Sequence, residues 1–165
     1  MAGLFMRMAL FWLLCAMPAA AAAGPGDGDT SLAPKAVAMV KKAAAYYQRH
    51  GAAQAFAQFM NPRGEFIDGE LYIAVHDARS GVALAHGGEP KVVGQSLLEL
   101  RDSDGVYVIK AIIEVGNRPS HSGWTEYKWP HPVSRKWVLK RAYTERVGDV
   151  LITCGYYPAA SDARP

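Results

Sequence analysis

The sequence predicts an α+β domain in which a helical N-terminal part is followed by an antiparallel sheet. Three observations predict it. From Pro34 to Phe59 apolar residues recur at helical spacing. After "NPRGEFIDGE" the spacing drops to two, in short segments rich in β-branched and aromatic residues. Several of these segments are joined by connections of hairpin length, which makes neighbouring strands antiparallel.

Residues 1–23 precede the domain. They carry a basic residue at Arg7, an apolar run from Met8 to Met17, and alanines that satisfy A-x-A in several registers. That is the pattern of a secretory signal peptide cleaved near Ala22 or Ala23. The run falls short of the roughly 20 residues that a spanning helix needs, so a retained anchor is the lesser alternative. Cys15 follows Trp12, Leu13 and Leu14, where a lipoprotein signal wants small residues. Residues 24–33, glycine-rich and acidic, form a flexible lead-in to one domain at 34–158, and 159–165 form a disordered tail.

Within the domain, Ala36, Met39, Val40, Ala43 and Tyr47 form one helical stripe, with Lys35, Lys41, Lys42 and Arg49 for the wet side. His50-Gly51 stops that helix. A second, short one carries Ala52, Ala55, Phe56 and Phe59 until Asn61-Pro62 breaks it. "LYIAVHD", "GVALAH", "GWTEYKW", "KWVLKRAYTERV" and "DVLITCGYY" read as strands, with "DARSG" and "RVGDV" as hairpin connections. The segment 102–116, "DSDGVYVIKAIIEVG", fits two patterns. Its β-branched residues favour a strand, while Val106, Ile109, Ile112 and Ile113 fit a helix stripe with a cap at Asp102 or Ser103 and a stop at Gly116.

Composition excludes several functions. The formal charge of +3 is carried by scattered lysines and arginines, so no nucleic-acid-binding stripe exists. Cys154 is the one cysteine after the signal peptide, so no intramolecular disulfide staples the core. His50, His76, His86, His121 and His131 show no metal-ligand spacing, and no haem-attachment motif occurs. There is no G-x-S-x-G. Cys154 lies mid-strand and reads as a buried, inert thiol, and Asp102 and Asp104 read as turn caps. No metal, no cofactor and no enzymatic activity are expected.

The stretch "GWTEYKWPHP" raises a further question, because Trp124 alternates away from Tyr127 and Trp129 and so puts rings on both faces of one strand. Polar residues also lie inside apolar strands: Tyr72, His86, Tyr127, Lys140 and Tyr143. A strand tyrosine ordinarily packs its ring and wets its hydroxyl, and a strand lysine ordinarily faces solvent. Lys140 is the informative member, since "WVLKRAY" surrounds a cation with apolar neighbours, where it needs a partner.

The order of the pieces resembles a known family. "NP-x-G-x-F", "LY" opening the first strand, "AH" closing the second, "VG-x-S-L-x-x-L-x-D", "GW-x-E-Y-x-W-x-x-P", "K-x-x-Y" and "RVGD" are similar, in that order, to the single Cache domain, an extracytoplasmic sensor module, over residues 36–157. The resemblance implies a PAS-like fold, a long N-terminal helix packed on a five- to six-stranded antiparallel sheet, with 103–116 helical and a pocket on the other face. Rings on both faces of 123–132 would then belong to a central strand covered on both sides. By family position Tyr72, His86, Tyr127, Lys140 and Tyr143 line the pocket, although Lys140 and Tyr143 share a face only if a bulge intervenes. A buried lysine flanked by such donors suits a short-chain organic acid. "AHGGEP" departs from the family by placing glycines after the histidine. No transmembrane helix or signalling domain follows the last strand, so the expectation is an exported ligand-binding protein, periplasmic or secreted, that acts alone or with a separate membrane-bound signalling partner, with a homodimer allowed. The alternative is an interaction domain whose pocket is filled by its own side chains.

Overall fold

The computed structural model describes residues 32–158, so the predicted signal peptide and C-terminal tail lie outside the described residues. Helix α1 (Leu32–Phe59) breaks at Gly51, whose φ of 74° is a left-handed conformation favoured by glycine, and the predicted pair of helices lies on either side. Its buried face is mostly alanine (Ala36, Ala43, Ala44, Ala55) with Val40 and Phe59, which lets the helix lie close on the sheet. Lys35, Lys41, Lys42 and Arg49 are exposed as expected; Ala52, expected on the buried stripe of the second helix, is exposed instead, while Ala55 and Phe59 are buried. Tyr47 stacks on Phe56 across the break, with ring centroids 5.8 Å apart.

Six antiparallel strands follow among the described residues: β1 (Ile67–Asp68), β2 (Leu71–Asp77), β3 (Ala83–His86), β4 (Ser122–Pro130), β5 (Trp137–Val147) and β6 (Val150–Tyr156). Their order is β1-β2-β6-β5-β4, with β3 also pairing β2. The two-residue β1 had no periodicity to betray it. Asp77 closes the β2–β3 turn by accepting hydrogen bonds from the Arg79 and Ser80 N–H groups at 3.0 and 2.7 Å. Gly148, at φ 61°, closes β5–β6.

The ambiguous segment resolves as helix α2 (Val108–Gly116), which buries Val108, Ile109, Ile112 and Val115. It starts later than the expected 103 because Asp102 is used otherwise. Its Oδ1 accepts the Asp104 and Val106 N–H groups, both at 2.9 Å, and its Oδ2 accepts the N–H of Lys128 on β4 at 2.8 Å. Asp102 therefore ties the lead-in to α2 onto the sheet.

The sheet has two covered faces. Under α1 lie Leu71, Ile73, Val75, Ile152, Cys154 and Tyr156; under α2 lie Tyr127, Ala142 and Leu151. This accounts for the rings on both faces of β4. Trp124 packs edge-on to Tyr143 and Tyr156 in the α1 layer, at 5.4 and 5.9 Å, while Tyr127 and Trp129 meet edge-on at 6.1 Å in the α2 layer. The expectation of a central strand is corrected, because β4 is the edge of the sheet. Both layers extend to that edge. Glu126 pairs with Arg141 at 2.9 Å and Lys128 with Asp104 at 2.8 Å, which explains charges among the rings.

Candidate functional site

Between α2 and the sheet lies a cavity of about 20 Å³. That is room for a single water-sized group, by a threshold of about 10–15 Å³ per water. Strand alternation sets its floor. On β2 the residues facing α2 are Tyr72, Ala74 and His76; on β6 they are Thr153 and Gly155; Lys140 and Tyr127 sit opposite each other on β5 and β4. His86, paired with Ala74, closes one side, and Val108, Ile109 and Ile112 form the roof.

Lys140 is 3% exposed, and its Nζ donates to the Tyr72 hydroxyl at 2.7 Å. The ammonium also lies 3.9 Å from the centroid of the Tyr72 ring and 5.0 Å from that of Tyr157. None of the ion pairs among the described residues includes it. The acid whose field reaches it, Glu70, instead accepts the Tyr157 N–H at 2.9 Å and stands 3.9 Å from His131. Burial therefore dominates and lowers the Lys140 pKa from 10.5 to about 7, with Cys154 and Glu70 opposing weakly. Its stem lies across Gly155, where an added Cβ would come within 2.7 Å of Lys140 Cε.

The donors around it are fixed by local structure. His86 Nδ1 accepts the Glu89 N–H at 2.8 Å, so in the neutral ring the proton sits on Nε2. Burial, then the charge of Lys140, push its pKa down to about 3, so this ring stays neutral. Tyr72 is held protonated by burial, and its hydroxyl bonds that of Tyr157, which donates to the Pro130 carbonyl at 3.0 Å. Tyr127, 7% exposed, is likewise kept neutral by burial. The glycines after His86 let the chain pass over the Tyr72 ring, since a Cβ on Gly88 would fall 2.6 Å from its Cζ.

Of the predicted site residues, Tyr72, His86, Tyr127 and Lys140 meet in this cavity. Tyr143 does not, and its assignment is corrected: β5 runs in unbroken register from Trp137 to Glu145, so no bulge turns Tyr143 towards Lys140. It packs in the α1 layer beside Trp124. Sequence reasoning missed His76 and Trp129, although His76 shares the parity of Tyr72, and Trp129 that of Tyr127. Trp129 stacks on His86 with centroids 6.2 Å apart. Cys154 points into the α1 layer, fully buried, its thiol pushed up to about 12 by burial.

A helix on one face of an antiparallel sheet and a small polar pocket on the other are the architecture of a PAS-like domain. The comparisons agree. The model of the family Single Cache domain 2 matches residues 31–162, and the chain belongs to that family. Cache domains are extracytoplasmic sensory domains. Among solved structures, the chain is similar to a Cache chemosensory domain studied for carboxylic acid recognition, at 23% identity and a TM-score of 0.66, covering 79% of this chain and 95% of that one. It is also similar to a methyl-accepting chemotaxis protein from Vibrio parahaemolyticus RIMD 2210633 (20% identity, TM-score 0.58, 78% and 85% covered). The periplasmic sensor domain of a chemotaxis protein gives 22% identity and a TM-score of 0.61, with 79% and 92% covered. A search of the curated proteins finds no match.

Proposed function

We propose that the pocket binds a short monocarboxylate, with the carboxylate against Lys140 and with the His86 Nε2–H and the Tyr127 hydroxyl as orienting donors. Tyr72 holds the ammonium in place. The observation that carries this reading is a buried ammonium with a tyrosine hydroxyl at 2.7 Å and no carboxylate in ion-pair contact among the described residues. A buried cation calls for a counter-charge, and a bound acid supplies one. The carboxylic acid recognition of the similar Cache chemosensory domain supports the same class of ligand. The module acts after export, after cleavage near Ala22, and works either as a free binding protein or through a separate membrane-bound signalling partner. Its role is binding rather than catalysis.

A ligand that binds only the folded state raises the melting temperature by mass action. Acetate, propionate and butyrate should each be titrated against wild type and Lys140→Met, by thermal shift and calorimetry. The reading expects stabilisation and heat with wild type and neither with the variant. A second reading is favoured by the small cavity of about 20 Å³: the pocket is filled by its own side chains, and the domain contacts another protein. No heat with any acid on either protein would sink the carboxylate reading and favour the second.

A further inference from the structure

Four residues along β2 from Tyr72, His76 occupies the far end of the same floor. By strand geometry their Cα atoms are about 13 Å apart. Between these polar ends the floor carries only small side chains: Ala74 on β2, Thr153 and Gly155 on β6. His76 is 3% exposed, and neither of its ring nitrogens has a hydrogen-bond partner. Its cross-strand neighbours, Ala83 and Leu151, offer no side-chain polar atom. The nearest hydroxyl along the floor, that of Thr153, is bonded to Thr144 at 2.9 Å. Buried polar groups are nearly always hydrogen-bonded, and leaving one unpaired costs about 1–3 kcal/mol, so an orphaned imidazole facing a cavity marks a place for a guest.

Burial holds this ring neutral, with its pKa lowered to about 4. A neutral imidazole has one donor and one acceptor nitrogen, so it can bond a hydroxyl or a carbonyl oxygen. It offers no charge to a second carboxylate. His86, paired with Ala74, lies between the two ends and feels the charge of Lys140.

We propose that His76 is the second polar contact of this pocket, and that its preferred ligands are short acids with an additional hydroxyl or oxo oxygen, the carboxylate lying at Lys140. This rests on the carboxylate reading above and deepens it. A plain aliphatic acid leaves the imidazole unpaired, whereas a hydroxy or oxo acid satisfies it. A dicarboxylate finds a cation at one end only.

Matched pairs test this by calorimetry on the purified protein: propionate against lactate and pyruvate, and butyrate against 3-hydroxybutyrate. Wild type should favour the oxygenated member by at least about tenfold, and succinate should bind no better than butyrate. His76→Leu should reduce the preference between paired acids to within about twofold, and His76→Gln, which retains a donor and an acceptor, should restore part of it. Equal binding of the paired acids by wild type would overturn the proposal and leave His76 to a buried water. So would a preference that survives His76→Leu. If His76→Leu fails to fold by circular dichroism, the wild-type pairs and His76→Gln decide. Wild type that binds no acid at all refutes the carboxylate reading itself, whereas binding without discrimination refutes only the role of His76.

Discussion

Replacing Lys140 with methionine should make the unliganded domain more stable at pH 6. Burial lowers the lysine pKa from 10.5 to about 7. At about 1.4 kcal/mol for each tenfold change in proton affinity, retaining the ammonium in the fold costs roughly 5 kcal/mol. Methionine fills a similar volume without the charge. It gives up the hydrogen bond to Tyr72 and the contacts with two rings, together about 2–3 kcal/mol. The net gain is about 2 kcal/mol, or roughly 6–8 °C in melting temperature for a domain of this size. Its pH dependence has a definite sign. Between pH 7 and 10.5 the unfolded chain holds the lysine proton and the fold does not, so wild-type stability rises with pH across that window. The advantage of Lys140→Met should therefore be full below pH 7, shrink above it and reverse at about pH 8.5. Melting curves of both proteins at pH 6 and 9.5 measure this, and groups common to both cancel in the difference. A variant destabilised equally at both pH values would refute the reasoning, because it would mean that the ammonium carries no burial penalty.

Other consequences follow from the same geometry. His76 and His86 stay neutral in the fold, with pKa values of about 4 and about 3, so their stabilisation is complete above the ordinary value of 6.5 and is lost as pH falls. Acid melts should show a steep loss below pH 6.5, which His76→Gln makes shallower. Gly155→Ala should abolish acid binding and destabilise by about 1–3 kcal/mol, since its Cβ would meet Lys140 Cε at 2.7 Å and the Arg141 carbonyl oxygen at 2.8 Å, whereas Tyr143→Phe on the opposite face should leave affinity unchanged by calorimetry. Asp102→Ala removes the acceptor of three backbone N–H groups and should release residues 102–107 from β4, seen as faster amide exchange there and a loss of about 2–3 kcal/mol.

Much of the fold was legible because its signals are local. The helix stop at Gly51 and the Asp77 turn each rest on a residue whose own chemistry dictates the conformation. The 102–116 segment was not legible from pattern alone, since β-branched residues suit a strand and their spacing suits a helix. What decides between them is tertiary: a stripe of Val108, Ile109 and Ile112 has a sheet face to cover, and Asp102 is bonded to β4, 26 residues away. The site divides in the same way. Parity places Lys140 and Tyr127 on known faces, yet nothing in "WVLKRAY" reveals that no bulge rescues Tyr143. His76 was overlooked because a lone histidine in an apolar strand looks like any other until both its nitrogens are seen unpartnered. The placement of β4 at the sheet edge depends on strand order, which periodicity does not encode.

The central claim is that a ligand carboxylate completes the charge of Lys140, and proton uptake on binding measures it most directly. Near pH 8 most of the unliganded protein should hold Lys140 uncharged, given a pKa of about 7. A carboxylate beside it restores the ammonium, so binding must draw a proton from solution. Calorimetry at pH 8 in buffers of different ionisation enthalpy should report an uptake of close to one proton per acid bound by wild type, falling towards zero at pH 6, where the ammonium is already formed. Binding at pH 8 with no proton uptake would contradict the account and place the acid away from Lys140.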